Sequence, residues 1–206
     1  MINLTADKWI IAAEEALKIT EKLGDEVVII GTSACGVLTL ILASQHPEIK
    51  AIVLYSPCIK LYDKAAFVLN KPWGLQIARM ISGGPIKTFK PESRAHSNYW
   101  TLKFRIEGLV ALVNLYSNTM KPEVLSKVKC PVFLAYYYKN DEEQDMTASV
   151  PDMLKMFDEL GTPPELKQKM AFPEAGAHVI ASHIRSNDWN GVEIATLRFL
   201  TEVVKL

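Results

Sequence analysis

Val27-Val28-Ile29-Ile30-Gly31-Thr32-Ser33-Ala34-Cys35-Gly36-Val37 decides how the rest of this chain is read. Its first part is a short β-branched run with apolar residues at consecutive positions, the pattern of a strand buried on both faces of a parallel sheet. Its last part opens an apolar helical pattern over residues 35–45 that Pro47 ends. Ser33 falls in the sharp turn between them. A serine there is exposed at the carboxyl end of the sheet, and the helix N-terminus behind it favours developing negative charge. Its hydroxyl is too weakly acidic to attack alone and needs a base. The Gly-x-Ser tripeptide carries little information by itself, and serine is also favoured as a helix N-cap. The position after a buried strand makes Ser33 a candidate nucleophile.

Outward from that segment the same alternation recurs. Residues 6–23 place Trp9, Ile10, Ala13, Ala16, Leu17 and Thr20 on one helical face, with Thr5 as N-cap and Gly24 as the stop. Buried-strand patterns recur at residues 50–56 (KAIVLYS) and 131–138 (PVFLAYYY), with a weaker one at 167–172. Helical patterns follow near 150–160 and 190–204. Strands alternating with helices predict βαβ units: an α/β fold with a parallel sheet flanked by helices. Residues 60–128 break the rhythm, with mixed helical signals, Gly83-Gly84-Pro85 and no convincing strand, and are read as an inserted helical cap. Its bulky members, among them Phe67, Trp73, Met80, Phe89, Tyr99 and Phe104, exceed what short helices need for their own packing, so a share of them is expected to line a pocket.

The 206 residues suit a single domain. Lys plus Arg and Asp plus Glu both total 23, which argues against a nucleic-acid partner. The apolar runs are far shorter than a bilayer span, and the opening residues carry Asp7, Glu14, Glu15 and Glu21 instead of a signal pattern, so a cytoplasmic location is expected. Cys35, Cys58 and Cys130 are widely separated, without metal-ligand spacing, and are read as reduced; no metal or cofactor is implied.

Of the four histidines, His178 in Pro173-Glu174-Ala175-Gly176-Ala177-His178 stands just beyond the last strand pattern, at the same carboxyl end as Ser33, and is the candidate base. His183 lies five residues further on and is the alternative, while His46 precedes Pro47 and His96 lies in the cap. A base of this kind needs an acid to fix its tautomer and stabilise the imidazolium. The loop after Tyr138 offers Asp141, Glu142, Glu143 and Asp145. Asp145 is preferred over Asp141 because it shortly precedes an apolar segment and a helix, and the order Ser, Asp, His agrees.

With GTSACG after VVII, an acid-rich loop after PVFLAYYY, and PEAGAHVI, the chain resembles the α/β-hydrolase fold family, in its lid-bearing esterase-like branch. The resemblance implies a serine carboxylic-ester hydrolase working through an acyl-enzyme. Ser33 would attack, His178 shuttle the proton, Asp145 orient His178, and the backbone N–H of Ala34 face the oxyanion. It implies a small-molecule substrate, which the apolar cap suggests has an apolar part, and no cofactor.

Two departures follow. The fifth position of the family's Gly-x-Ser-x-Gly is Cys35 here, with Gly36 next. In the family, several strands precede the nucleophile strand, and a loop after the third supplies a second oxyanion donor; here the preceding residues spell one helix. The chain is therefore expected to lack those strands and to be either a serine hydrolase or a weakly active or noncatalytic binding module. It also leaves Glu26-Val27-Val28-Ile29-Ile30-Gly31 as an edge strand open to pairing, expected to be covered either by strand pairing between two copies, a homodimer, or by a segment of a longer natural protein.

Overall fold

The computed structural model describes residues 3–206. Helix α1 (Ala6–Thr20) starts at Thr5, whose hydroxyl accepts from Lys8 N–H, and ends before the expected stop at Gly24, with Glu21 as its C-cap. Strand β1 (Val28–Thr32) leads through Ser33 into α2 (Ala34–Gln45), and β2 (Ala51–Tyr55) follows. Then come a 3-10 turn at Lys64–Asn70, α3 (Gly74–Ile81), β3 (Ile86–Thr88), α4 (Arg94–Tyr99), β4 (Lys103–Arg105), α5 (Ile106–Thr119) and α6 (Pro122–Leu125). Strand β5 (Val132–Tyr136), α7 (Val150–Glu159), β6 (Lys167–Ala171) and α8 (Trp189–Phe199), which runs on into a wider turn at Leu200–Val204, complete the chain.

Strands β1, β2, β5 and β6 form one sheet in that order, parallel throughout. Alternate residues of the central strands enter two cores. Ile52, Leu54, Val132 and Leu134 meet α1, α2, α5, α6 and α7 on one face. Val53, Tyr55, Phe133 and Ala135 meet α8 and the segment before it on the other, where Phe133 stacks on Phe199. Consecutive apolar residues in these strands thus reflect a sheet covered on both sides.

The segment between β2 and β5 departs from the expectation of helices alone. Strands β3 and β4 pair as a small antiparallel ribbon, Ile86 opposite Arg105 and Thr88 opposite Lys103. Each is three residues long, too short to show an alternating pattern. Helices α5 and α6 contribute Val113, Leu115, Tyr116 and Leu125 to the core beneath the sheet. Residues 60–105, by contrast, bury only Gly74, Ala78 and His96. Phe67, Trp73, Met80, Phe89 and Tyr99 stand exposed instead of packing that segment's own interior. Among the described residues, no helix is long and apolar enough to cross a membrane, and β1 has no strand on its outer side.

Candidate functional site

Ser33 adopts φ 55 and ψ −120, a conformation a side-chain-bearing residue holds only when its surroundings enforce it. Three backbone hydrogen bonds do so. Ser33 N–H donates to Tyr55 O at 3.0 Å, and Ser33 O accepts from Gly36 and Cys58 N–H, each at 3.0 Å. Two glycines let the helix lie close to the strand. A Cβ on Gly31 would stand 2.3 Å from Thr39 Oγ1 and 2.7 Å from Cys35 O, and one on Gly36 would stand 2.6 Å from Pro57 Cβ. The close approach to the neighbouring loop is made by Gly36, one place beyond the family's usual fifth position, while Cys35 faces solvent. Ser33 makes no side-chain cap to α2, so the N-cap reading of this serine does not hold.

Its hydroxyl is turned to a histidine instead. His178 Nε2 lies 2.8 Å from Ser33 Oγ, and His178 Nδ1 lies 2.6 Å from Asp145 Oδ2. A carboxylate can only accept, so Nδ1 carries the proton toward Asp145 and Nε2 is left to accept from Ser33 O–H. His178 is largely buried and the Asp145 side chain is fully so. The second oxygen of Asp145, Oδ1, accepts from Thr147 N–H at 2.8 Å and Ala148 N–H at 3.0 Å, which fixes the carboxylate in a tight turn. That turn is itself tied to the chain after β2: Tyr62 N–H donates to Thr147 O, and Ser149 N–H to Lys60 O. Ala34 is the first residue of α2, so its N–H has no acceptor within the helix.

The other candidates lie elsewhere. Asp141 accepts from the Tyr138 hydroxyl at 2.9 Å in an exposed loop. His183 packs edge-on against Trp189, His46 bridges Glu14 and Glu48, and His96 is buried against Arg185. All three cysteines are free. Burial pushes the Cys58 thiol up to about 12, with the Asp145 carboxylate adding to the effect, which leaves no thiolate there for nucleophilic work. Among the described residues, Glu21, His46 and Glu48 bring ligand atoms within 4.8 Å of one another, remote from Ser33, with His46 already held by two carboxylates.

Two features had no signal in the sequence. Glu107 is buried between Arg79 and Arg105, joining α3, β4 and α5. Ser56, just past β2, has φ 44 and a buried hydroxyl without a hydrogen-bond partner. Spacing along the chain foretells neither, because both depend on contacts between segments distant in sequence, Glu107 with Arg79 and Ser56 with the end of β5.

No protein-family model and no curated protein matches the chain. Solved structures do. It is similar to a metagenome-derived lipolytic enzyme with a TM-score of 0.71 at 18% identity, covering 97% of this chain and 74% of that one. It is also similar to the monoacylglycerol lipase of Paleococcus ferrophilus (TM-score 0.68, 18% identity, 97% and 76% covered). A thermostable carboxyl esterase from Bacillus coagulans gives 0.65 at 14% identity, with 95% and 72% covered. Likeness at such identities is a likeness of fold.

Proposed function

We propose that this chain, which has the α/β-hydrolase fold, is a serine hydrolase that cleaves carboxylic esters through an acyl-enzyme. The observation that carries the reading is the unbroken series from Ser33 Oγ through both ring nitrogens of His178 to Asp145. In this reading Ser33 Oγ attacks the ester carbonyl carbon while its proton passes to His178 Nε2. The imidazolium so formed is stabilised by Asp145. The carbonyl oxygen, now an oxyanion, is held by the Ala34 N–H at the head of α2. Collapse breaks the bond to the alcohol oxygen, which leaves with the proton from Nε2. Water then repeats the sequence, releasing the acid and restoring Ser33.

One observation favours a second reading, a weakly active or noncatalytic binding module on the same fold. Strand β1 is the edge of the sheet among the described residues, so Ala34 is the one oxyanion donor assigned. Loss of one such donor costs on the order of 100-fold to 1000-fold in rate. A fluorophosphonate probe separates the readings. Covalent labelling of the unaltered chain that vanishes in Ser33→Ala, with turnover of p-nitrophenyl esters of graded chain length, supports the hydrolase. Absence of labelling sinks it.

A further inference from the structure

Residues 60–105 hold nine of the chain's 23 Lys and Arg but two of its 23 Asp and Glu, a net +7 on a chain of zero total charge; the remainder therefore carries −7. Three of the nine are spent in ion pairs: Arg79 and Arg105 on Glu107, and Lys60 on Asp152. Among the described residues, Lys64, Lys71, Lys87, Lys90, Arg94 and Lys103 make none. Interleaved with these free cations are large apolar side chains turned to solvent. Trp73 is 73% exposed, Met80 75%, Ile81 79% and Tyr99 75%. Helix α3 buries only Gly74 and Ala78, while Met80 and Ile81 at its last turn stand in solvent and Trp73 directly precedes it. Trp73 itself holds φ 67, a left-handed conformation unfavourable for a bulky residue. The β3–β4 ribbon adds Ile86, half exposed, and Phe89, with Lys87 set over its ring.

A segment that buries only three residues yet exposes this much apolar area has an occupant to find. We infer that the outer face of residues 60–105 docks on an anionic lipid surface. Aromatic and aliphatic tips with lysines between them suit the boundary between headgroups and acyl chains, where apolar area and attraction to anionic lipid act together. The charge division orients the molecule, since an acidic body is repelled by the surface that attracts the basic face. A second copy presenting the same face would set its six unpaired cations against the same six, which disfavours self-association there. The face also adjoins the candidate site. His96 of α4 lies 3.0 Å from Arg185, which pairs with Glu92 at 2.9 Å, and Arg185 is in the loop that follows His178. Docking would thus bring the carboxyl end of the sheet to the interface.

The inference stands on charge and exposure, independent of Ser33 chemistry, and is tested on full-length Ser33→Ala. Sedimentation with phosphatidylcholine vesicles is compared with vesicles that also contain about 30% phosphatidylserine, whose surface potential attracts basic groups. Anionic vesicles should bind at least about 10-fold more tightly, and high salt should reduce the difference. Lys87→Glu with Lys90→Glu should weaken binding on the order of 30-fold, and Trp73→Ser with Met80→Ser should weaken it to neutral and anionic vesicles alike. Lys18→Glu, an exposed change on α1, should have little effect. Failure to bind either vesicle, as expected if the face takes an acidic protein instead, overturns the inference. Equal binding to both does so too, as does a loss with Lys18→Glu matching that of the Lys87 and Lys90 pair.

Discussion

Ser33, His178 and Asp145 are joined by hydrogen bonds of 2.8 and 2.6 Å, so their contributions to a rate should not be separable. Groups that act as one device are strongly non-additive. Ser33→Ala and His178→Ala should each reduce ester hydrolysis at least about 1000-fold, and the double variant should be hardly worse than either. Losses that add in log rate would show two independent effects. Asp145→Asn removes the charge that fixes the tautomer and should cost on the order of 10⁴-fold in kcat. Asp141→Asn, on a carboxylate whose side-chain bond is to the Tyr138 hydroxyl at the surface, should stay within about twofold. The three residues are legible in the sequence because each follows a strand at the same end of the sheet. What separates Asp145 from Asp141 is less so, since the choice rests on the turn that Thr147 and Ala148 close around one carboxylate.

Strand β1 and helix α2 meet at a contact with no room for a side chain. Gly31→Ala would push a methyl against Thr39 Oγ1 and Cys35 O, and should lower the unfolding free energy by about 1–3 kcal/mol. Urea unfolding followed by circular dichroism reads this directly, and an unchanged midpoint would mean that α2 shifts freely. The outer side of β1 raises a different question. Ile30 is 52% exposed there, beside a cleft of about 490 Å³ lined by Tyr55, His183, Trp189 and Leu197. Unpaired strand edges recruit partners, so light scattering should find the chain as a dimer that Ile30→Lys converts to monomer. A monomer at all concentrations for the unaltered chain would defeat that expectation. Strands β1, β2 and β5 are legible because they read as unbroken apolar runs such as Ile52-Val53-Leu54, whereas β6, Lys167-Gln168-Lys169-Met170-Ala171, is largely exposed and leaves only a weak pattern. Strands β3 and β4 are not, because residues such as Lys87 and Thr88 face solvent and nothing in their order distinguishes ribbon from loop.

At the scale of the whole molecule, two ionic clusters set opposite limits on stability with pH. Hydrogen bonds from Arg105, its own backbone N–H and Arg79 hold Glu107 down to about 2, against an ordinary value of 4.5. Its folded value is depressed, so its contribution is complete above pH 4.5 and is lost as pH falls toward 2. For His46, partial burial lowers the affinity for a proton, but hydrogen bonds to Glu48 and Glu14 outweigh it and raise the value above 6.5. That contribution is complete below 6.5 and is lost as pH rises through the folded value. His46→Gln should therefore cost about 0.5–1 kcal/mol at mildly acidic pH and little in alkali. Glu107→Gln should cost about 1.5–3 kcal/mol near neutrality and progressively less in strong acid. Equal costs at every pH would contradict either assignment. A last consequence concerns time. Ser33 and His178 are 145 residues apart, and β2 must wait for β5, across the whole inserted segment, to gain its second neighbour. At about 5–20 residues per second, a ribosome makes the serine on the order of ten seconds before the histidine. Throughout that interval, on the proposed reading, the growing chain carries Ser33 without its base, and any product that stops short of β6 and the loop after it lacks His178 altogether.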